Sequence, residues 1–458
     1  MSIFLFNTLS RNKEEFISIK KDRVGLYTCG PTVYNYAHIG NLRTYLFEDL
    51  LKRTLIYNGY KVRHIMNITD VGHLTGDRDM GLDKLEEEAK KEGKDAWEIS
   101  KFYEQSFWQD LEKLNILPPT KVYHATKTIK EQIELVETLE KKGYTYKTDD
   151  GIYFDSSKFP NYNKLSHQDL DALKEGARIE KNEAKKNPTD FALWKFSRPE
   201  DKRQMEWESP WGTGFPGWHI ECSAMSFLGL GQGRDIHCGG IDHIDVHHTN
   251  EIAQFEAAKD EKFFNYWLHG AFLNIAGGKR MGKSENNFLT LNRAFQERNI
   301  NPLVYRFAVL QTHYRKPMEY NEEIVDNAKL ALDALYNRLR ALGKEKGEIN
   351  QIFRDEFLSA INDDLNFPEG LAILNNLLKS NLSVADKLAT ALDFDKVLGL
   401  DFNKVNQAIP KDIRKLFLER EKAREAKDWA KSDSLRKELE NKGYRLEDNF
   451  GNSNIYKI

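Results

Sequence analysis

Apolar and polar positions in the N-terminal part of the chain follow two different periods. Val24 to Cys29 is a short apolar run that Gly30-Pro31 ends, which is typical of a buried strand. From about Asn41 to Tyr57 apolar side chains recur at helical spacing, and Asn58-Gly59 ends that helix. Lys61 to Ile68 alternates as a second strand. A strand, a long loop, a helix and a strand predict a βαβ unit, which brings a parallel sheet with it.

The middle of the chain departs from this α/β pattern and then returns to it. Residues from about Trp97 to Asn187 predict mostly charged helix with one strand-like patch, Gly151 to Asp155, as expected of an insertion. From Trp218 the α/β pattern returns, and its predicted elements are a helix near Ser223 to Leu228, a strand near Asp235 to Cys238, a helix from about Asp245 to Ala258 and a strand from Ala271 to Ala276.

The C-terminal part of the chain is predicted to be helical apart from one hairpin. Asn321 has the N-cap preference, and the apolar stripe that follows it ends at Gly343. The later expected elements are a helix starting after Pro368, a Lys-, Arg- and Glu-rich helical pair from Pro410 to Lys442 broken near Asp428-Trp429, and a hairpin around Asn452.

Composition places the chain among soluble, multidomain proteins. Its 458 residues suggest about three domains, and 40% hydrophobic with 12% aromatic residues exclude a disordered chain. No apolar run approaches the ~18 residues of a membrane helix, and the first residues lack the order of a signal peptide. Three cysteines, an odd number, exclude a disulfide scaffold and indicate a reducing compartment. We therefore expect a cytoplasmic protein with no membrane partner. The net charge of −3 neither favours nor excludes nucleic acid as a partner.

The loop between the first strand and its helix, Pro31 to Asn41, lies where α/β proteins bind ligands. The helix N-terminus offers free N–H groups and partial positive charge to a phosphate. His38 can donate to a phosphoryl oxygen, and Gly40 lets a nucleotide lie against bare backbone. The alternative is an ordinary loop with a satisfied histidine.

Two cysteines, a histidine and a glutamate form a candidate zinc site. Cys29 ends the first strand, Cys222 starts a helix, and His247 and Glu251 share one helix face because they are four residues apart. Two thiolates, an imidazole and a carboxylate can bind zinc and leave room for an incoming group. The alternative is that the cysteines are small buried hydrophobes, since they form no CxxC pair. Rival ligands remain open at this point: Cys238, His219, His243 and His248.

A third candidate, Gly277 to Ser284, matches the phosphate-loop pattern GxxxxGK[ST]. The confirming context is missing, because Ser284 leads into Glu285-Asn286-Asn287 and no later apolar strand ends in Asp to hold magnesium. We therefore expect a basic, Gly-rich loop that closes over the phosphates of a nucleotide, and not a P-loop NTPase. A solvated basic loop is the alternative.

Three motifs occur in one order along the chain: PTVYNYAHIGN after the first strand, SPWGTGFPGWHIECSAM mid-chain, and RMGKS after a late strand. In this combination the chain resembles the class I aminoacyl-tRNA synthetases, and closely the cysteinyl-tRNA synthetase family. The resemblance covers essentially the whole chain, including EKAREAKDWAKSDSLRKELENKGYRLED near its end. The mid-chain segment carries most of the specificity.

The resemblance implies an α/β fold with a Rossmann-like class I catalytic domain, followed by an all-α helical bundle and a small C-terminal anticodon-binding domain. The expected divisions are 1–125 and 211–275 for the two halves of the catalytic domain, 126–210 for a connective insertion, 276–320 for the KMSKS-type loop and stem-contact region, 321–405 for the bundle, and 406–458 for the anticodon-binding domain.

The resemblance also implies site residues, each at a position that matches a family motif. The residues expected to contact ATP are His38, Gly40 and Asn41 of the HIGH counterpart and Arg280, Lys283 and Ser284 of the KMSKS counterpart. Those expected to be catalytic are His38, Asn41 and Lys283. Those matching the family's zinc ligands are Cys29, Cys222, His247 and Glu251. Those expected to line the cysteine pocket are Thr69, Trp218 and Asp242, with Asp242 facing the substrate amino group.

The implied reaction has two steps. L-cysteine and ATP, with Mg²⁺, give cysteinyl-adenylate and pyrophosphate, and the cysteinyl group then passes to the 3′ end of tRNA(Cys). One zinc ion per chain would select the substrate thiolate over the serine hydroxyl, so that no editing site is needed. The family leans monomeric.

The chain departs from the family's motifs at several positions. Arg280 and Gly282 replace the first lysine and first serine of KMSKS, and Asn41 replaces the last histidine of HIGH. Where the family usually shows HGGGxDLxFPHHENE, this chain has HCGGIDHIDVHHTNE, so that Cys238 and His243 are extra potential ligands. These departures bear on metal selectivity and on loop movement.

Two other functions compete with the tRNA ligase. A cysteine ligase of the same catalytic fold that acts on an amino-sugar would share adenylation and zinc but would need no anticodon reader. Here the tail carries a Lys- and Arg-rich helical pair, Trp429 and a hairpin, although a solvated structural bundle would also fit its many acidic residues. A non-enzymatic RNA-binding paralogue is the third possibility, and it would have no reason to keep both the zinc ligands and Lys283.

Overall fold

Most strands of the described residues lie in the N-terminal two thirds of the protein, interspersed with helices, whereas the C-terminal third is mainly helical. The computed structural model describes residues 1–76, 80–168, 185–198, 203–275, 279–280, 288–405, 410–449 and 452–457. The strands are β1 (Phe4–Asn7), β2 (Asn12–Glu15), β3 (Arg23–Thr28), β4 (Lys61–Ile68), β5 (Leu74–Gly76), β6 (Met80–Asp83), β7 (Lys121–His124), β8 (Thr145–Lys147), β9 (Gly151–Phe154), β10 (Phe191–Phe196), β11 (Gly214–Pro216), β12 (Ile236–Gly240), β13 (Tyr266–Gly270), β14 (Leu273–Ile275), β15 (Lys279–Arg280), β16 (Met318–Tyr320), β17 (Tyr444–Asn449) and β18 (Asn452–Lys457).

The α-helices of the described residues, in chain order, are α1 (Ile39–Tyr57), α2 (Lys84–Glu92), α3 (Ala96–Lys113), α4 (Ile129–Lys141), α5 (Trp218–Leu230), α6 (Thr249–Lys259), α7 (Leu291–Ala294), α8 (Leu303–Leu310), α9 (Glu322–Ala341), α10 (Gln351–Asn362), α11 (Phe367–Lys379), α12 (Val384–Leu398), α13 (Lys411–Glu425) and α14 (Trp429–Asn441). Among them, none is both long and apolar enough to cross a membrane.

The central sheet has the strand order β13–β12–β3–β4–β7, and every pair in it is parallel. The chain runs outward from β3 through β4 to β7 and later returns to add β12 on the other side of β3. The order therefore reverses between β3 and β12, which makes their carboxyl ends the topological switch point where open α/β sheets bind ligands. Helix α1 covers one face of the sheet, and α5 and α6 cover the other.

The expected α/β fold is confirmed, and the first βαβ unit lies where the periodicity predicts it. β3 (Arg23–Thr28), α1 (Ile39–Tyr57) and β4 (Lys61–Ile68) match the predicted strand, helix and strand. The C-terminal expectations are also confirmed. The Asn321 side chain accepts from the Ile324 N–H at 2.7 Å to cap α9, and Gly343 follows its end at φ +78°.

One prediction for the middle of the chain is wrong. The segment from Trp97 to Asn187 is expected to carry a single strand-like patch, but β7 (Lys121–His124) joins the central sheet and pairs His124 with Ile68, and β8 (Thr145–Lys147) pairs with β9. Both are short elements that gain their place by pairing with a neighbouring strand rather than from their own sequence. The strand predicted from Ala271 to Ala276 is present as β14 (Leu273–Ile275), and Ala276 lies outside the described residues.

Two smaller units accompany the central sheet. β8 to β11 form an antiparallel sheet in the order β11–β10–β9–β8, which lies over α4 with its own buried cluster and extends past residue 210. Helices α13 and α14 and the hairpin β17–β18 share a separate small core, made by Ile413, Leu439, Tyr444, Leu446 and Ile455.

Candidate active site and metal centre

A polar pocket opens at the carboxyl ends of β3 and β12, and it encloses about 610 Å³. Its floor is formed by Cys29, Cys222, His247 and Glu251, and we call these four residues the pocket floor. Its outer rim is formed by His38, Asn41 and Phe288, and we call these three residues the pocket mouth. Every residue of the two groups except the fully buried Glu251 lines the cavity directly.

The pocket mouth is built on the first turn of α1. The Nδ1 atom of His38 accepts the Asn41 N–H at 3.0 Å, and the Asn41 Oδ1 accepts the His38 N–H at 3.2 Å. This is a capping box, in which each residue satisfies a backbone donor of the other. Burial lowers the pKa of His38, so the ring is neutral at pH 7 and carries its hydrogen on Nε2. His38 is therefore a neutral hydrogen-bond donor at a helix N-terminus.

The segment after the RMGKS motif lies beside this helix start. The Ile39 N–H donates to the Leu289 carbonyl at 2.9 Å, and the Phe288 ring lies edge-on to the His38 ring at 5.4 Å. On the other side of the motif, the backbone of Arg280 pairs with Asn274 as part of β15. Lys283 and Ser284, the predicted phosphate contacts, lie outside the described residues.

Four elements bring the pocket floor together. Cys29 follows β3, Cys222 lies on α5, and Glu251 lies in the first turn of α6. His247 belongs to a single π-helical turn, Ile244–His248, that precedes α6 where the sequence predicts one continuous helix. Such turns are rare and occur often at functional sites. One ligand atom from each of the four side chains lies within 4.8 Å of every other.

The donor set of the pocket floor fits a metal ion. The Cys29 and Cys222 sulfurs are 3.9 Å apart, and the His247 Nε2 is 3.0 Å from the Glu251 Oε1. Burial raises the pKa of Cys29 and of Glu251 well above the usual range, and it also raises the pKa of Cys222. Acidic groups crowded together in this way release their protons to a bound cation. Two sulfur donors, one nitrogen and one carboxylate are ligands that zinc prefers.

A second combination of side chains uses the same centre. Cys29 and Glu251 also lie within 4.8 Å of ligand atoms from His237 and His248. The His237 Nε2 is 3.0 Å from the Glu251 Oε2, and the His248 Nε2 is 3.4 Å from the Cys29 Sγ. Burial lowers the pKa of His237 to about 3, so the ring is neutral. Sequence reasoning left His248 open and missed His237, because its strand position gives no metal-ligand spacing.

The other rival ligands of the sequence take different places. Cys238 is completely buried within the apolar cluster on the α1 side of the sheet, whereas Cys29 and Cys222 lie on the opposite side. The Nδ1 of His243 accepts the Gly240 N–H at 3.2 Å. The Nδ1 of His219 lies 3.0 Å from the Nδ1 of His247, which orients the ring of that candidate ligand.

The predicted cysteine-pocket residues surround the pocket floor. Trp218 is the first residue of α5, and its ring centroid lies 4.0 Å from that of His247. Thr69 follows β4, and Asp242 follows β12; both line the cavity. A Cβ on Gly240 would lie 2.4 Å from the Asp242 Oδ1, so any larger residue there would displace that carboxylate from its present position. The structure thus brings Thr69, Trp218 and Asp242 to one pocket.

A buried polar chain beside Thr69 was missed by sequence reasoning. Thr69 Oγ1 donates to Glu221 Oε2 at 2.8 Å, and His73 Nε2 lies 2.7 Å from Glu221 Oε1. The Asn67 side chain donates to Thr69 Oγ1 at 3.2 Å. Glu221 stands directly before Cys222, and a glutamate within an apolar helix was the available signal.

Comparison with known proteins adds an independent finding. The family described as tRNA synthetases class I (C) catalytic domain matches residues 15–330, and the Cysteinyl-tRNA ligase anticodon binding domain matches residues 406–452. Cysteine–tRNA ligase 1 of Burkholderia lata is 48% identical over 454 residues, covering 98% of this chain and 95% of that protein. Cysteine–tRNA ligase of Treponema denticola is 42% identical over 494 residues, covering 100% of each.

Solved structures of more distant proteins share the fold. Mycobacterium tuberculosis methionyl-tRNA synthetase with methionyl-adenylate is 15% identical, with a TM-score of 0.56 over 82% of this chain and 90% of that chain. The LeuRS ternary complex from Agrobacterium radiobacter is 12% identical, with a TM-score of 0.60 over 85% of each chain. At these identities the likeness concerns the fold alone.

Proposed function

The chain belongs to the cysteinyl-tRNA synthetase family, and we propose that it ligates L-cysteine to tRNA(Cys) at the expense of ATP. The observation that carries the proposal is the pocket at the β3–β12 switch point, which combines a neutral histidine donor at a helix start with a buried metal-ligand set. The first feature suits a nucleotide phosphate, and the second suits a thiol substrate.

The pocket floor is the proposed place of zinc. Cys29, Cys222, His247 and Glu251 would hold one Zn²⁺, with His219 and His237 orienting His247 and Glu251. When bound, zinc supplies a Lewis-acid centre with a position open to a thiolate. Around it, Trp218 closes one side of the pocket and Thr69 and Asp242 supply polar atoms for the remainder of the substrate.

The pocket mouth is the proposed place of ATP. His38 donates from Nε2 to a phosphoryl oxygen, and the start of α1 adds partial positive charge. Gly40 leaves room beside the backbone, Asn41 caps the helix, and Arg280, Lys283 and Ser284 are further proposed contacts to ATP, with Mg²⁺ accompanying the nucleotide. The cysteine carboxylate then attacks the α-phosphorus and releases pyrophosphate, a reaction that needs positioning and charge stabilisation rather than a protein nucleophile.

The C-terminal unit is the proposed anticodon reader, with its boundary at 405/406. It has its own small core, and its helices α13 and α14 are rich in lysine and arginine. Trp429 begins α14 and is 59% exposed, which makes an aromatic face available to an unstacked base. A chain lacking residues 406–458 should therefore retain cysteine activation and lose discrimination among tRNAs.

We propose a monomer that works in the cytoplasm.

The deciding experiment is cysteine-dependent ATP–pyrophosphate exchange, followed by charging of unfractionated tRNA, on protein of measured metal content. Exchange together with charging is the expected result. Exchange without charging would assign the chain to the ligases that couple cysteine to a small amine. A protein that contains zinc but gives no exchange would be a binding protein, and the proposal would be wrong.

A further inference from the structure

We propose that Glu221 is a positioning residue that makes the Thr69 hydroxyl a hydrogen-bond acceptor for the α-ammonium group of the substrate. This inference rests on the proposed function, since it concerns how the same pocket binds its amino acid. Glu221 itself does not line the pocket and is 0% exposed. It can act on the substrate only through partners that line the pocket, and the partner that matters here is Thr69.

The orientation of the Asn67 side chain is fixed by its hydrogen-bond partners. The backbone N–H of Gly30 and the hydroxyl of Tyr27 both donate to the Asn67 Oδ1, at 2.8 and 3.2 Å. A backbone N–H can only donate, so the atom facing Gly30 must be the amide oxygen. A Cβ at Gly30 would lie 1.7 Å from the main-chain carbonyl oxygen of Asn67, so the close approach of the two backbones requires glycine at position 30. The Asn67 Nδ2 must consequently face the other way, towards Thr69.

The orientation of the Asn67 amide decides which hydrogen bonds the Thr69 hydroxyl can make. Because Nδ2 is a donor, the Thr69 Oγ1 accepts that bond at 3.2 Å. The single hydrogen of the hydroxyl goes to the Glu221 Oε2 at 2.8 Å. A hydroxyl has one hydrogen and two lone pairs, so one lone pair remains for a ligand. Thr69 can thus accept a hydrogen bond from the pocket and has no hydrogen left to donate.

Glu221 is held in place for this task by His73. The His73 Nε2 lies 2.7 Å from the Glu221 Oε1, so each carboxyl oxygen has one partner. His73 is 5% exposed and Thr69 is 2% exposed, so bulk water does not compete for these bonds. If glutamine replaced Glu221, its side-chain NH2 group could donate to the Thr69 Oγ1. The hydrogen of the Thr69 hydroxyl could then point into the pocket.

The matching group on a cysteine substrate is its α-ammonium. The carboxylate has acceptor atoms only, so it finds no partner in a hydroxyl that cannot donate, and a thiol is a weak donor. The ammonium has three hydrogens, and Asp242, whose carboxylate also lines the pocket, can take another of them. Together Thr69 and Asp242 would distinguish an amino acid from a thiol acid of the same size.

The test compares L-cysteine with 3-mercaptopropionate, which keeps the thiol and the carboxylate and lacks the amine. The KM for cysteine and the inhibition constant of 3-mercaptopropionate are measured in pyrophosphate exchange for wild type, Thr69→Val, Glu221→Gln and the double variant. We expect each single variant to raise the KM for cysteine about tenfold and to change the inhibition constant less than about twofold. The KM for cysteine of the double variant should be no higher than that of the more impaired single variant, because both changes break the same chain of hydrogen bonds.

Controls separate this role from a merely structural one. Thr69→Ser keeps the hydroxyl and should restore the cysteine KM, and all variants should bind equal amounts of metal, since Glu221 precedes Cys222. Equal weakening of both ligands, or additive losses in the double variant, would overturn the inference. If wild-type protein gave no exchange, the proposed function would be refuted. Calorimetric titration with cysteine and 3-mercaptopropionate would still decide whether Thr69 and Glu221 favour a ligand that carries an amine.

Discussion

The pocket floor and the pocket mouth select their ligands by different physical means. The residues of the floor are at most 7% exposed, and burial raises the pKa of its three acidic members, Cys29, Cys222 and Glu251. The mouth is partly open to solvent, and it works through the His38 side chain and the capped start of α1. The floor therefore depends on the identity of four side chains, whereas the mouth depends on His38 and on a helix start that more than one capping residue can preserve.

The difference fits some of the chain's departures from the motifs of its family. Asn41 at the mouth replaces the usual residue, as Arg280 and Gly282 do in the RMGKS motif, whereas Cys238 and His243 are replacements in the segment that also carries two floor residues. The four residues of the floor themselves match the family pattern. The mouth tolerates Asn41 because this residue preserves the helix start through the capping box.

The largest effect is expected from Cys222→Ala, which removes one donor from the floor. Metal content should fall to near zero, and cysteine-dependent exchange should be lost, because the floor then keeps only three ligands. Retained zinc would indicate that His237 and His248 complete a ligand set with Cys29 and Glu251. Metal analysis and exchange assays measure both. The matched control is Cys238→Ala, which removes a buried cysteine on the other side of the sheet and should leave the metal in place. Full zinc occupancy in the Cys222 variant would refute the ligand assignment.

The next effect is expected from Lys283→Ala in the basic segment Gly277 to Ser284. Removing one positive group from the ATP phosphates should slow adenylate formation about 100-fold, with tRNA binding unchanged. Pyrophosphate exchange and a filter-binding assay separate the two quantities. Lys279→Ala removes the same charge from the other end of the motif and is the control. An undiminished exchange rate in the Lys283 variant would show that the lysine does not act on ATP.

A smaller effect concerns pH and a histidine beneath the floor. The His64 Nε2 lies 2.9 Å from the Thr28 Oγ1, and burial together with Lys52 lowers the pKa of His64 to about 3. Below pH ~6.5 the unfolded chain takes up a proton that the folded chain refuses, so the free energy of unfolding falls as pH falls. This one histidine lowers the free energy of unfolding by at most ~1.4 kcal/mol per pH unit, or about 2 kcal/mol between pH 6.5 and 5.

Urea denaturation at pH 7, 6 and 5 measures this share. His64→Gln should show a shallower loss of stability with acid than wild type, whatever its stability at pH 7. His167→Asn changes an exposed histidine and is expected to leave the slope as it is. Parallel slopes for wild type and the His64 variant would mean that His64 is not held neutral by burial.

The smallest effect is expected from Asn41→Ala at the mouth. The helix loses the acceptor for the His38 N–H, which should cost about 1 kcal/mol of stability. The KM for ATP should rise only a few-fold, because the backbone N–H groups remain. Asn41→Gln keeps a side-chain acceptor at the same helix position and should recover most of the loss. A large loss of exchange activity would show that Asn41 contacts the nucleotide itself.

Much of the fold was readable because it is locally encoded. The βαβ unit, the cap at Asn321 and the C-terminal helical pair each depend on periodicity and end signals within one segment. β7 escaped prediction, because four residues carry too little periodicity and gain their place only by pairing with β4. The π-helical turn at Ile244–His248 also escaped, since helical spacing does not distinguish it from an α-helix.

The sequence by itself determined most of the inventory of the site: the four candidate metal ligands, four rivals to them, and the loop that could bind phosphate, but not His237. Only the tertiary structure decided between Cys29, which reaches the floor, and Cys238, which lies on the other side of the sheet. It alone joined Asn67, Thr69 and Glu221 into one chain of hydrogen bonds. The physical reason is that a ligand set and a buried hydrogen-bond chain are made by residues far apart in sequence, and their partners exist only after the sheet and its helices have packed.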